Sequence, residues 1–113
     1  MLKKDLYGKC PYVTSQKVLT GKWSIYILYL LSTKDTIRFN ELQRCMPEEM
    51  THTTLSRQLK ILEEEGLIIR TQYAQIPPKV EYSLSNIGKK FEDVLYALGE
   101  WGEAYIQYVK DKK

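Results

Sequence analysis

The chain carries one histidine, His52, and two cysteines, Cys10 and Cys45. A structural zinc site takes four ligands of this kind, so no metal site is expected within one chain. Cys10 and His52 formally make a nucleophile–base pair. No third group is spaced to orient that pair. A glycine-rich phosphate loop and an acid pair at a recognisable spacing are also absent from the sequence. It therefore does not read as an enzyme and implies no cofactor. What it offers instead is recognition chemistry. From Met50 to Gly66, in the string MTHTTLSRQLKILEEEG, short hydroxyls cluster with long cations: Thr51, Thr53, Thr54, Ser56, Arg57 and Lys60. An Arg can bond a guanine edge in bidentate fashion, and a Thr methyl can touch the methyl of thymine. Cations such as Lys60 meet backbone phosphate.

For these side chains to share a face, the stretch must be a helix. Leu55, Leu59 and Leu62 recur at helical spacing. Advancing about 100° per residue from Leu55, Thr53, Arg57 and Lys60 project away from the leucines, with Thr54 and Ser56 on the shoulders. Thr51 suits the N-cap, where its hydroxyl accepts a bond from an orphan N–H of the first turn. Glu63, Glu64 and Glu65 fall at the other end, so an anionic backbone is drawn to the first half of the helix and repelled by the second. A helix that reads the major groove leads with its N-terminal residues, which fits this polarity. His52 lies nearer the leucine face and is expected to cap or pack rather than to read a base. An ordinary amphipathic surface helix shows the same leucine stripe, so the surroundings must decide.

At 113 residues the chain reads as one domain, 1–113. Its hydrophobic fraction of 43% and charged fraction of 27% are those of an ordinary folded protein. A net charge of +3 and a sequence pI near 8.8 are compatible with a nucleic-acid partner. No apolar run is long enough to span a bilayer, and the first residues lack the apolar segment of a secretory signal. No membrane partner and a cytoplasmic location are expected. In a reducing compartment, Cys10 and Cys45 are expected as thiols rather than a bridge.

Residues 1–9, with Lys3, Lys4 and Lys9, read as a loose or partner-dependent arm. Pro11 suits the first position of a helix; this puts Cys10 at or near its N-cap and carries the helix to about Thr20, ended by Gly21. Lys22 to Thr33 is apolar on nearly every side and too long for a typical strand, which predicts a core helix. Thr36 to Phe39 is short and β-prone. Asn40 to Met46 reads as a short helix with Leu42 and Cys45 facing inward, Cys45 as a small buried hydrophobe, and Pro47 ending it. Together with the helix that follows Met50, it makes a helix-turn-helix over about 39–66.

Gly66 closes that helix as a C-cap, and the period then changes to two. Leu67–Gln75 and Lys79–Leu84 read as strands, the second with Val80, Tyr82 and Leu84 on one side. Pro77 and Pro78 cannot sit in paired strands and mark the hairpin tip, giving a wing over about 67–84. Ser85 is expected to cap a last helix over about 85–110. Along it Ile87, Phe91, Val94, Leu95, Leu98, Trp101 and Tyr105 recur at three- and four-residue steps. A core this small covers only part of that stripe, so this helix is expected to pack, with the N-terminal helix, against a second copy through Leu95, Leu98, Trp101 and Tyr105. Gly99 and Gly102 either admit a partner backbone or mark a kink or an early end. The expected fold is α+β, mainly α: a winged helix-turn-helix with a two-stranded wing and N- and C-terminal dimerisation helices. Lys22, Arg38, Lys60, Arg70 and Lys79 are its candidate phosphate contacts; for Arg38 the alternative is a structural salt bridge.

Several fragments, in this order and spacing, resemble the HxlR family of bacterial transcriptional regulators, which is related to the MarR-type winged helix regulators. They are Cys10-Pro11, Gly21-Lys22-Trp23, Arg38-Phe39-Asn40-Glu41-Leu42, Leu55-Ser56-Arg57-Gln58-Leu59, Leu62-Glu63-Glu64-Glu65-Gly66-Leu67, the run from Pro77 to Leu84, and Glu100-Trp101. The likeness covers roughly residues 9 to 106. It implies a homodimeric, sequence-specific protein that binds double-stranded DNA in the bacterial cytoplasm. The family holds both repressors and activators, so the sign of regulation does not carry over. Two recognition helices would meet successive major-groove turns about 34 Å apart, which predicts a pseudo-palindromic operator.

Some members of that family sense oxidants or electrophiles through a cysteine at the position of Cys10; in others the cysteine has no known sensing role. A thiol at a helix N-terminus beside Lys9 has its thiolate favoured by the helix dipole and the cation. One expectation is that oxidation or alkylation of Cys10 shifts the dimer geometry, a disulfide between the two Cys10 residues of the dimer being one form. The alternative is a regulator whose small-molecule effector binds between the core and the dimer helices, lined by Tyr26, Tyr29, Trp101 and Tyr105, with Cys10 structural. A winged helix used for protein contact is a third reading, disfavoured by the polar outward face of Thr53, Ser56, Arg57 and Lys60.

Overall fold

A computed structural model describes residues 6–112. Lys3 and Lys4 of the expected arm lie outside the described residues, as does Lys113. The elements in chain order are α1 (Pro11–Val18), α2 (Ser24–Ser32), β1 (Ile37–Arg38), α3 (Phe39–Arg44), α4 (His52–Glu64), β2 (Ile68–Tyr73), β3 (Lys79–Leu84), α5 (Asn86–Lys89) and α6 (Glu92–Asp111). The fold is the expected winged helix-turn-helix, mainly helical.

The core gathers the inward side of each element. Leu55, Leu59 and Leu62 of α4 meet Ile27, Leu28 and Leu31 of α2, Leu42 of α3, and Tyr82 and Leu84 of β3. The ends of α4 are built as their residues require. The Thr51 hydroxyl accepts the Thr54 N–H at 3.1 Å, satisfying one orphan donor. At the other end Gly66 takes φ +80°, its N–H bonds the Glu63 carbonyl at 2.9 Å, and the Leu67 N–H bonds the Leu62 carbonyl at 3.0 Å. That pair of bonds is a Schellman closure, which favours glycine because its backbone is left-handed. The chain then leaves directly into β2.

β2 and β3 form the wing, in a register running from Ile68 opposite Leu84 to Tyr73 opposite Lys79. β1 adds to the free edge of β3, with Ile37 opposite Tyr82, so the sheet has three strands in the order β1-β3-β2. The third strand is an addition to the two-stranded wing expected from sequence; two residues are too few to show a period. Ser85 fastens the base of the wing to α4, its hydroxyl donating to the Gly66 carbonyl at 2.6 Å.

Other expectations are corrected. α1 ends at Val18, ahead of Gly21. A Cβ at Gly21 would collide with the side-chain oxygens of Gln58 and Ser24, so the residue marks close approach to α4 rather than a helix stop. α2 is not buried all round: Ile25, Tyr26 and Tyr29 are exposed while Ile27, Leu28 and Leu31 are buried, and apolar content alone hides that difference. Cys45 is exposed, because α3 stops one residue before it and leaves it as the C-cap. Its carbonyl, not its thiol, is engaged, accepting the Tyr26 hydroxyl at 3.1 Å.

The last helix is not continuous. Ser85 caps only the short α5, accepting the Gly88 N–H at 3.1 Å, and α6 starts at Glu92. Gly88 lies so close to Leu67, the residue before β2, that a Cβ would collide with its carbonyl. α6 does not end early at Gly99 or Gly102; it runs on to Asp111. Phe91 and Leu95 rest against the core, whereas Val94, Trp101, Tyr105 and Ile106 are exposed. Among the described residues no helix is long and apolar enough to cross a membrane.

Candidate nucleic-acid interface

α4 turns its leucines inward and leaves Thr53, Arg57 and Lys60 exposed. Thr51 and Thr54 are engaged at its start, their hydroxyls 3.0 Å apart in addition to the cap bond. Ser56 is half-buried, with Oγ 3.5 Å from Nδ1 of His52. His52 packs its ring on Phe39, the centroids 4.3 Å apart, which ties the start of α4 to the start of α3.

A groove of about 590 Å³ runs between α4, the start of α3 and the wing. Arg38, Ser56, Lys60, Arg70 and Lys79 line it, so residues chosen from separate parts of the sequence converge on one concave surface. Thr53 and Arg57 stand on the outward side of α4, and Lys22 lies apart at the turn before α2, its ammonium 5.8 Å from the Trp23 ring. Within the groove, Nη1 of Arg70 donates to Oε1 of Gln72 at 3.2 Å. Lys79 is paired with Glu81 at 3.3 Å and lies 4.8 Å from the Tyr73 ring centroid.

The alternative for Arg38, a structural salt bridge, is not formed: among the described residues its guanidinium has no ion pair. The acidic neighbour uses its backbone instead. The Glu41 carboxylate accepts the Arg38 N–H at 3.3 Å, half of a capping box, since an arginine side chain has no acceptor to return. That bond, helped by Lys34 at 3.2 Å, holds the Glu41 carboxyl below its ordinary range.

Sequence reasoning passed over Phe39 and Asn40, which line the groove together with Glu63, and Glu81. A Phe-Asn pair opening a helix was the available signal for the first two. Cys10 is the N-cap of α1 and half-buried; its carbonyl accepts the Thr14 N–H at 2.9 Å, while its side chain makes no cap bond. Tyr26 with Tyr29, and Trp101 with Tyr105, stack at 6.5 and 5.3 Å. They are exposed on α2 and α6. None of the four lines the groove beside α4.

The HxlR family, an HxlR-like helix-turn-helix, matches residues 18–110. The HTH-type transcriptional regulator YdeP of Bacillus subtilis (strain 168) is 41% identical over 102 residues, which is 89% of this chain and 77% of YdeP. BH0655 of Halalkalibacterium halodurans, also an HTH-type regulator, is 45% identical over 92 residues, 81% of this chain and 80% of that one. Among solved structures, the redox regulator HypR in its reduced form matches with a TM-score of 0.81 and 36% identity, over 89% of this chain and 98% of HypR. Its oxidised form matches at 0.75 and 38% identity, over 84% and 96%. These relatives are transcriptional regulators, not enzymes. The chain belongs to the HxlR family of DNA-binding, winged helix-turn-helix transcriptional regulators.

Proposed function

We propose that this regulator acts in the cytoplasm as a homodimer on a pseudo-palindromic operator. The observation that carries the reading is the juxtaposition of an exposed, polar α4 with a groove whose walls supply cations from four separate elements, β1, α4, β2 and β3. Thr53, Thr54, Ser56 and Arg57 are assigned to base edges, with Thr51 holding the helix start. Lys22, Arg38, Lys60, Arg70 and Lys79 are assigned to phosphate, which sets register and affinity rather than sequence. The stripe of α6 formed by the half-buried Leu95 and Leu98 and the exposed Trp101 and Tyr105 joins α1 as the dimer surface. Arg57→Ala tests the assignment: it narrows the gap between specific and non-specific duplex, whereas loss of a phosphate contact weakens both alike.

The half-buried Cys10 thiol at the start of α1, unengaged in capping, favours a redox input. HypR, which matches in both its reduced and oxidised forms, supports the same reading. Oxidation or alkylation of Cys10 then alters the packing of α1 in the dimer, and with it the spacing of the two α4 helices. The test is operator binding with and without diamide in wild type, Cys10→Ser and Cys45→Ser, the last removing the chain's other thiol. A response retained in Cys10→Ser would refute it.

A further inference from the structure

The wing places a carboxylate beside a cation assigned to phosphate. Lys79 and Glu81 are two residues apart on β3, so their side chains leave the same face of the sheet. Nζ of Lys79 is 3.3 Å from Oε2 of Glu81, and the side chains are only 27% and 15% exposed. The ring of Tyr73, directly opposite Lys79 across the hairpin, lies 4.8 Å from the ammonium. On its other side β3 pairs with β1, where Glu81 stands directly opposite Arg38. One carboxylate is therefore paired with Lys79 and stands across the β1–β3 ladder from a second cation, Arg38. An ammonium whose charge is already matched by a retained carboxylate adds no net neutralisation when it meets a phosphate, and net neutralisation is what drives counterion release.

We propose that Glu81 is a positioning residue of the interface. It holds the Lys79 ammonium over Tyr73 at the groove rim, so that the pair enters a DNA complex as a neutral unit. Affinity for DNA of arbitrary sequence, which is electrostatic, is thereby kept down while Lys79 still supplies a donor at a fixed place. The inference rests on the DNA-binding reading above and gives Lys79 a different energetic role from Arg38, Lys60 and Arg70.

The experiment is the dependence of log affinity on log salt for one duplex, using full-length wild type, Glu81→Gln, Lys79→Ala and the double variant. Glu81→Gln frees the ammonium and steepens the slope by about 0.9 per wing; for two wings this is about a tenfold change in salt response between 50 and 200 mM. Lys79→Ala leaves the carboxylate behind and flattens the slope. The double variant, again neutral, returns to the wild-type slope. A wild-type slope in Glu81→Gln, or a double variant as flat as Lys79→Ala, would overturn the proposal and make Lys79 an independent phosphate contact. Thermal unfolding is followed in parallel, because a merely structural Glu81 lowers Tm without moving the slope. Wild type that binds no duplex at all overturns the DNA-binding reading and this proposal together. Salt-dependent wild-type binding with no change in Glu81→Gln overturns the proposal alone.

Discussion

The imidazole of His52 lies against the ring of Phe39, centroids 4.3 Å apart, and these are the first residues of α4 and α3. The contact helps set the angle at which α4 is presented. An aromatic pair of this kind contributes about 0.5–1.5 kcal/mol beyond the area it buries. His52→Ala is expected to lower stability by about 1 kcal/mol and to weaken specific binding, read by thermal unfolding and duplex titration. Unchanged values in both would show that the helices are held without this pair.

The Thr51 hydroxyl is a cap acceptor for the Thr54 N–H. Thr51→Ala should cost about 1 kcal/mol, and Thr51→Ser should restore most of it. Chemical denaturation of the three proteins decides this; equal loss in both variants would assign the effect to the methyl group.

The glycines of the C-terminal region should behave in opposite ways. Alanine favours a helix interior over glycine by about 1 kcal/mol. At Gly88 that gain is outweighed, because the new Cβ meets the Leu67 carbonyl, which is backbone and cannot swing aside; Gly88→Ala should destabilise by about 1–3 kcal/mol. At Gly99 and Gly102 a Cβ enters open space in the single chain, so alanine should stiffen α6. If a partner backbone approaches there, the same variants should weaken self-association, measured by sedimentation. Tighter or unchanged association would exclude close approach.

Glu41 carries a pH dependence. Its carboxyl is held below the ordinary range first by the Arg38 N–H and then by Lys34, so the fold favours the ionised form. The contribution is present above the unfolded carboxylate's pKa and is lost as pH falls through the lower, folded value. Protection of the amides at the start of α3, taken relative to their intrinsic exchange rate at each pH, should therefore fall on acidification across that window, and Glu41→Gln should abolish the dependence. A variant with the wild-type profile would refute the assignment.

What was legible in the sequence follows from how local the determinant is. α4, its Thr51 cap, the Gly66 closure and the β3 alternation of Val80, Tyr82 and Leu84 are written in neighbouring residues, and the structure has them at or near those positions. Gly21 and Gly88 were misread or missed because their reason is a distant atom, on Gln58 and Leu67 respectively. Cys45 was misread because a helix ending one residue sooner turns an inward position outward. The cations of the groove were found by type, but their convergence depends on β1 pairing with β3, a long-range contact without a local signature. Glu81 went unnoticed for the same reason: it matters only beside Lys79 and opposite Arg38.

The most direct test of operator recognition by a homodimer is selection from random-sequence duplex with the purified, reduced protein. The expected result is enrichment of two inverted half-sites whose centres are about 10 base pairs apart, or a multiple of that, as two α4 helices about 34 Å apart require. Enrichment of a single unpaired site, or no enrichment above the input pool, would contradict it.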